Sequence, residues 1–215
     1  MSSRTPGRTG SAPIGQRLEV ASTVLLALAT VATAWSAYQS REWTGEQAQG
    51  YSHATAARTA ENRASALANR NVQIDVATFI QWIDARAHGE GKLAGFYRRR
   101  FRDEFEPAFA AWIATRPLAN PQAPPTPFAM RAYKLRASTE ADRLDVEAAV
   151  DSEHAKSANQ TANNYMLAVV LFASSLFFAG ISVRLQGAVT RRVLLGLGSV
   201  VFVATLIWLA TLRVK

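Results

Sequence analysis

Three apolar stretches constrain this chain more than any other feature: residues 18–38, 166–183 and 193–212. A bilayer core of about 30 Å takes about 20 apolar residues of α-helix at a rise of about 1.5 Å each. The second stretch, from Met166 to Val183, and the third, from Val193 to Leu212, carry no charged residue. A helix buried in a water-soluble protein of 215 residues keeps a polar face, so apolar residues on every side point to lipid. The first stretch holds more Ala, Ser and Thr, and Ala32-Thr33-Ala34 has the small-x-small pattern of a signal-peptide cleavage site. Its apolar run is too long for an ordinary signal peptide, and Trp35 and Tyr38 suit a membrane interface. An uncleaved anchor is expected.

Charge then suggests a threading. The formal net charge of +8 divides unevenly: +2 in residues 1–39 (Arg4, Arg8 and Arg17 against Glu19), +1 in 40–164, +3 in the 184–192 connection and +2 from Arg213 and Lys215. The excess lies at membrane flanks, which argues against nucleic acid as its partner. With a cytoplasmic N-terminus, Arg17, Arg184, Arg191 and Arg192 fall on the inner side, and Trp35, Tyr38, Tyr165 and Trp208 gather at the outer interface. Arg213 and Lys215 dissent mildly. The expectation is a disordered cytoplasmic tail (1–15), an extracytoplasmic domain (39–164), a cytoplasmic loop (184–192) and an extracytoplasmic C-terminus. The chain has no cysteine, so disulfides, thiolate nucleophiles and Cys-based metal sites are excluded.

The outer domain reads as helices. From Gln39 to Ala87 there is no proline, glycine occurs only at Gly45 and Gly50, and good helix formers dominate. The first span should continue outward as helix for about 73 Å, bending if anywhere at Gly45 or Gly50, and stop at His88-Gly89-Glu90-Gly91. A second helix is expected over about Lys92–Thr115. Tyr97, Phe101, Phe105 and Phe109 form a stripe on it, beside Trp112, and should pack on Val72, Val76, Phe79, Ile80 and Ile83 of the first helix. Its other face spaces Arg98/Arg102, Arg99/Asp103, Arg100/Glu104 and Arg102/Glu106 at i,i+4, and Pro107 is placed to kink or divide it. Residues 116–128 hold five of the eight prolines, which predicts an extended, polyproline-like connector.

The last outer helix runs into the second span. Ala137, Ala141, Leu144, Ala148, Asp151, Ala155, Ala158 and Ala162 follow an unbroken 4-3 spacing, a coiled-coil seam small enough to admit a partner helix closely. Setting Tyr38 and Tyr165 at one depth places residue i level with residue 203 − i of an antiparallel pair. Glu46 then approaches Lys156, Arg58 meets Asp145, Glu61 lies near Arg143 and Arg63 meets Glu140. Exposed pairs of this kind contribute about 0–1 kcal/mol each.

Candidate chemistry is sparse. His53, His88 and His154 are the only histidines. The register brings His53 within a turn of His154, beside Asp151 and Glu153, but no local ligand spacing accompanies them, and neither a metal nor another cofactor is expected. The run containing Arg98, Arg99, Arg100 and Arg102 is a candidate surface for an anionic ligand or partner, although the acidic residues that follow it suit a salt-bridged helix face. No phosphate-binding glycine loop, nucleophile elbow or His-Glu-x-x-His occurs, and no catalytic residue is expected. No ionisable residue lies deep in a span, which disfavours transport. Ala27, Thr30, Ala34 and Ala37 give the first span a small-residue face suited to helix contact, within the chain or between copies.

Trp35-Ser-Ala-Tyr-Gln39, the Ala/Arg/Asn-rich helix after it and Leu167–Arg184 with its Leu-Phe-Phe-Ala-Gly carry a resemblance. The layout resembles that of uncharacterised bacterial three-span inner-membrane proteins with a helical extracytoplasmic hairpin. The resemblance covers most of the chain, rests on architecture and implies no catalytic residues. The expectation is therefore an all-α integral membrane protein with three transmembrane helices and a helical extracytoplasmic hairpin, or three-helix stalk. Its partners would be the lipid bilayer and either another membrane protein or further copies of itself. A structural or accessory role leads. A sensor relaying through a partner protein is the alternative, and a pore subunit a third.

Overall fold

A computed structural model describes residues 13–185 and 187–215, with backbone alone for 13–17 and 188. Among the described residues there are five α-helices: α1 (Pro13–Ala87), α2 (Gly91–Arg98), α3 (Glu106–Ala114), α4 (Arg136–Arg184) and α5 (Ala188–Leu209), with a 3-10 turn at Pro127–Ala129. No strand occurs among the described residues. The all-α expectation holds, and α1, α4 and α5 each contain a segment long and apolar enough to cross a membrane. The expected tail lies outside the described residues up to position 12, and α1 already includes Pro13.

Helix α1 passes Gly45 and Gly50 unbroken and ends where the paired glycines predict. Gly89 adopts a φ of 77°, and the Glu90 amide donates back to the Ala85 carbonyl at 2.8 Å, closing the last turn. The single helix expected over Lys92–Thr115 is instead two. A proline ring at 107 would strike the carbonyl four residues earlier in a continuous helix. Pro107 sits in the first turn of α3, where no backbone N–H is needed. The connector is also not extended. The amides of Ala119 and Asn120 both donate to the Arg116 carbonyl at 2.9 Å, and that of Ala123 to Asn120 at 3.1 Å. Trp112 Nε1 donates to the Pro124 carbonyl at 2.8 Å and ties these turns to α3.

The chain divides into two compact units, residues 1–50 with 153–215, and residues 51–152. In the first, Leu25 and Ala29 of α1, Ala168, Phe172 and Ala179 of α4, and Leu195 and Phe202 of α5 form one core. Serine and threonine fit this apolar bundle because their hydroxyls are satisfied locally: Thr30 donates to Leu26, Thr33 to Ala29 and Thr205 to Val201, at 2.7–2.8 Å. Ser175 instead donates across to the Gly198 carbonyl at 2.8 Å, where α5 lacks a side chain and comes close to α4. Large apolar side chains face outward: Val24, Leu28 and Val31 on α1, Val170 and Phe177 on α4, Val200 and Ile207 on α5. Ala27, Thr30, Ala34 and Ala37 are exposed too, so the small-residue face of the first span turns away from the packed side of α1.

The antiparallel register expected for α1 and α4 is met within two residues. Ser40 Oγ donates to the Ala162 carbonyl at 3.0 Å, and Gly50 lies against Ala155. Of the seam, Ala141, Leu144, Ala148, Ala155, Ala158 and Ala162 are buried, while Ala137 and Asp151 are half-buried. Three of the charge matches drawn from that register, Arg58 with Asp145, Glu61 with Arg143 and Arg63 with Glu140, do not form among the described residues. Glu46 binds Lys215, Lys156 reaches Glu153 at 2.6 Å, and Arg143 takes Glu140 and Glu147 at 2.7 and 2.8 Å. A partner three or four positions along the same helix is already held in place, so pairing with it orders fewer groups.

In residues 51–152 the core is aromatic. Phe79 of α1 meets Phe101, Phe105, Phe109 and Trp112, with Trp82, Phe128, Met130 and Tyr133 around them. Phe79 stands edge-on to Phe105, Phe109, Trp112 and Phe128 at centroid distances of 5.4–6.5 Å, a geometry that aligns ring edges with ring faces. Phe101, Phe105, Phe109 and Trp112 thus pack inward on Phe79 as expected, while Tyr97 stays half-buried outside this cluster. Trp82 takes the place foreseen for Ile80 and Ile83, which are exposed.

Candidate functional site: an arginine-rimmed cavity beside a buried carboxylate

Residues 51–152 also form a half-open cavity of about 710 Å³. Its floor is Trp82 and Ile83 of α1, Ala94 of α2, and Phe109, Trp112 and Ile113 of α3. Arg86, Arg98 and Arg116 stand around it, and no acidic residue lines it. The volume falls within the range of small-molecule sites, about 300–1,000 Å³, and so does the chemistry of an apolar lining with a few polar groups.

The three arginines differ in what already holds them. Arg98 donates to Glu106 Oε1 through Nε and Nη2, at 3.3 and 2.9 Å, and its guanidinium lies 5.3 Å from the Phe109 ring centre. Arg86 and Arg116 are exposed and form no ion pair among the described residues. Arg116 has a φ of 52°, the one non-glycine residue described in the left-handed region. It follows the last turn of α3, and its amide donates to the Ile113 carbonyl at 3.0 Å. Helices commonly end this way on glycine, because a Cβ there costs about 1–2 kcal/mol.

Behind the aromatic core lies a second polar feature. Asp75 of α1 is wholly buried, and its Oδ2 accepts from Arg102 Nη1 and from the Tyr133 hydroxyl, each at 3.0 Å. Its Oδ1 is buried without a partner. Arg102 also binds Glu104, which accepts from Arg136 Nε at 2.8 Å. Desolvation outweighs the lowering effects of Tyr133 and Arg102 and holds the Asp75 carboxyl above its ordinary range. Glu104 is held below its own, chiefly by the hydrogen bond from Arg136. Burial and the Asp75 carboxylate push the Tyr133 phenol up. Such a chain of charge-assisted bonds fixes the loop after α2 and the start of α4 to α1.

The four arginines read from sequence as one surface are therefore divided. Arg98 serves the cavity rim and Arg102 the buried network, while Arg100 lies 3.5 Å over the Phe96 ring and, like Arg99, stays exposed. Asp75, Tyr133, Arg86 and Arg116 were not singled out by sequence. Two of them had a usable signal: Asp75 is an ionisable residue four positions from Phe79 on the same face, and Arg116 stands where a helix terminator belongs. Among the described residues no group of three His, Cys, Asp or Glu is placed to hold a metal ion.

In the other unit, the interface residues are brought to one end of the bundle. Trp35 and Tyr38 have ring centres 6.0 Å apart, Tyr165 donates to the Arg213 carbonyl at 2.9 Å, and Trp208 packs on the bundle core. The buried Gln39 clasps Lys215 from both sides, donating to its carbonyl at 2.7 Å and accepting its amide at 3.1 Å. Trp43 Nε1 donates to the Arg213 carbonyl at 3.2 Å. Arg184, Arg191 and Arg192 lie by the α4–α5 turn at the other end of those helices, and the Arg17 side chain is outside the described residues. No family model, no curated protein and no solved structure matches this chain.

Proposed function

We propose that this is a structural or accessory integral membrane protein of a bacterial inner membrane. In this reading α1, α4 and α5 cross the bilayer, the N-terminus and the 184–192 turn face the cytoplasm, and residues 39–164 stand outside. The outer helical domain presents a surface to a partner or to a second copy. One observation supports this most: apolar side chains encircle the three long helices, whereas residues 51–152 build their own aromatic core. A water-exposed bundle would not leave so many valines, leucines and phenylalanines on its outside. The separation of tryptophan and tyrosine from arginine along the same helices supports the threading.

Photo-crosslinking in native membranes tests the role. A crosslinking residue replaces Ala27 or Ala34 on the exposed face of α1, or Val146 on α4. A recurrent crosslinked protein, or a crosslinked copy of this chain, is the expected result. Crosslinks to lipid alone from the α1 positions, with none from Val146, would remove the accessory role. A second reading, a sensor that relays through a partner, is favoured by the cavity, since an accessory stalk needs no apolar pocket of that size.

A further inference from the structure

We infer that the cavity between α1, α2 and α3 is a binding site for a small amphipathic anion, an apolar ring or short acyl body carrying one carboxylate. The inference goes beyond the accessory role and needs neither a membrane orientation nor a partner, because every residue it uses lies in 51–152.

Three observations converge on it. The floor of Trp82, Phe109, Trp112 and Ile113 is apolar and aromatic, so it favours a body without hydrogen-bonding groups. The charge around it is of one sign. Arg98 is already matched by Glu106, which leaves Arg86 and Arg116 with donors uncommitted to any carboxylate among the described residues. A guanidinium offers a planar fork of donors to a carboxylate, and two arginines lining one cavity favour anions over neutral molecules. The third observation is the backbone at Arg116. Glycine would close α3 there without strain, and the chain carries arginine instead, at a position that lines the cavity. Strain kept at a cavity rim, in a residue whose head group has no internal partner, fits a side chain retained for an external one.

The test uses the full chain in nanodiscs of neutral lipid, with 2-naphthoate as probe and its uncharged counterpart 2-naphthalenemethanol as control, read by isothermal titration. Saturable binding of 2-naphthoate is expected, at least about tenfold tighter than the alcohol. Arg116→Gly is the informative variant, since it relieves the left-handed backbone: its melting temperature should stay level or rise while naphthoate affinity falls about tenfold. Arg86→Gln combined with Arg116→Gly should abolish the preference for the anion. Equal affinity for acid and alcohol would overturn the proposal. So would Arg116→Gly binding naphthoate as tightly as the unaltered chain. Oleate carried in phosphatidylcholine vesicles, added as competitor, distinguishes a carboxylate drawn from the bilayer, which would displace naphthoate, from a free solute, for which naphthoate would stay bound.

Discussion

Asp75 is wholly buried on α1, and its burial works against its own salt bridge. Arg102 and Tyr133 both favour the carboxylate, yet removal from water costs the charged form more, so the carboxyl is held above its ordinary 3.8. A raised pKa in the folded state means stability that is fully present below the unfolded value and is lost as pH rises through the folded one. Asp75→Asn keeps the shape and an oxygen for the Tyr133 hydroxyl but does not titrate. Its stability relative to the unaltered chain should therefore climb as pH rises above about 4. Glu104 contributes the opposite slope at lower pH, because its lowered pKa gives stability that disappears as pH falls through the folded value. Thermal unfolding followed by near-ultraviolet circular dichroism across that range is the measurement. A difference that stays flat, or shrinks with rising pH, would show that Asp75 is ionised at little cost.

Helix α1 carries two glycines whose surroundings differ, and they separate packing from helix propensity. A Cβ built on Gly45 meets nothing within 4 Å, while one on Gly50 falls 3.0 Å from the Ala155 Cβ. Gly45→Ala should stabilise by about 0.5–1 kcal/mol through backbone entropy. Gly50→Leu should cost about 1–3 kcal/mol by forcing α1 and α4 apart, and Gly45→Leu is the matched control. Equal melting temperatures for the two leucine variants would mean that the close approach at Ala155 is not maintained. This approach was legible in advance, because Ala155, Ala158 and Ala162 repeat at a spacing that only a helix face produces. The spans were legible for the same reason: length and unbroken apolarity are local properties. The aromatic stripe was half legible. Its inward face followed from four-residue spacing, but the choice of Trp82 over Ile80 and Ile83 depends on how α3 turns after Pro107, which no local pattern encodes. The connector misled because five prolines suggest extension, whereas each can also sit in a turn, and Trp112 supplies the hydrogen bond that gathers them. The cavity was invisible for a simpler reason: Arg86 and Arg116 are far apart in sequence and join only when α1 and α3 pack.

For the whole molecule, the threading proposed above puts the α4–α5 turn in the cytoplasm. The aromatic end also carries Arg213 and Lys215, whose positive charges argue for the opposite threading. Lys215 is offset by its contact with Glu46, and the Arg213 carbonyl is used by both Tyr165 and Trp43. That leaves Arg213 as one unmatched charge against Arg184, Arg191 and Arg192 at the α4–α5 turn. The positive-inside bias still favours the turn as cytoplasmic. Because the chain has no cysteine, single cysteines can report this directly. Leu118, 97% exposed, and Val214, 63% exposed, mark one expected face, and the exposed Thr190 marks the other. A membrane-impermeant maleimide should label Leu118→Cys and Val214→Cys in intact cells and reach Thr190→Cys only after the membrane is opened. Val214 is the sharpest of the three, since the Gln39 clasp ties its neighbour Lys215 to α1 next to Tyr38. Labelling of Val214→Cys and Leu118→Cys only after disruption, with Thr190→Cys labelled in intact cells, would invert the threading. All three labelled alike in intact cells would mean that these helices do not cross the bilayer at all.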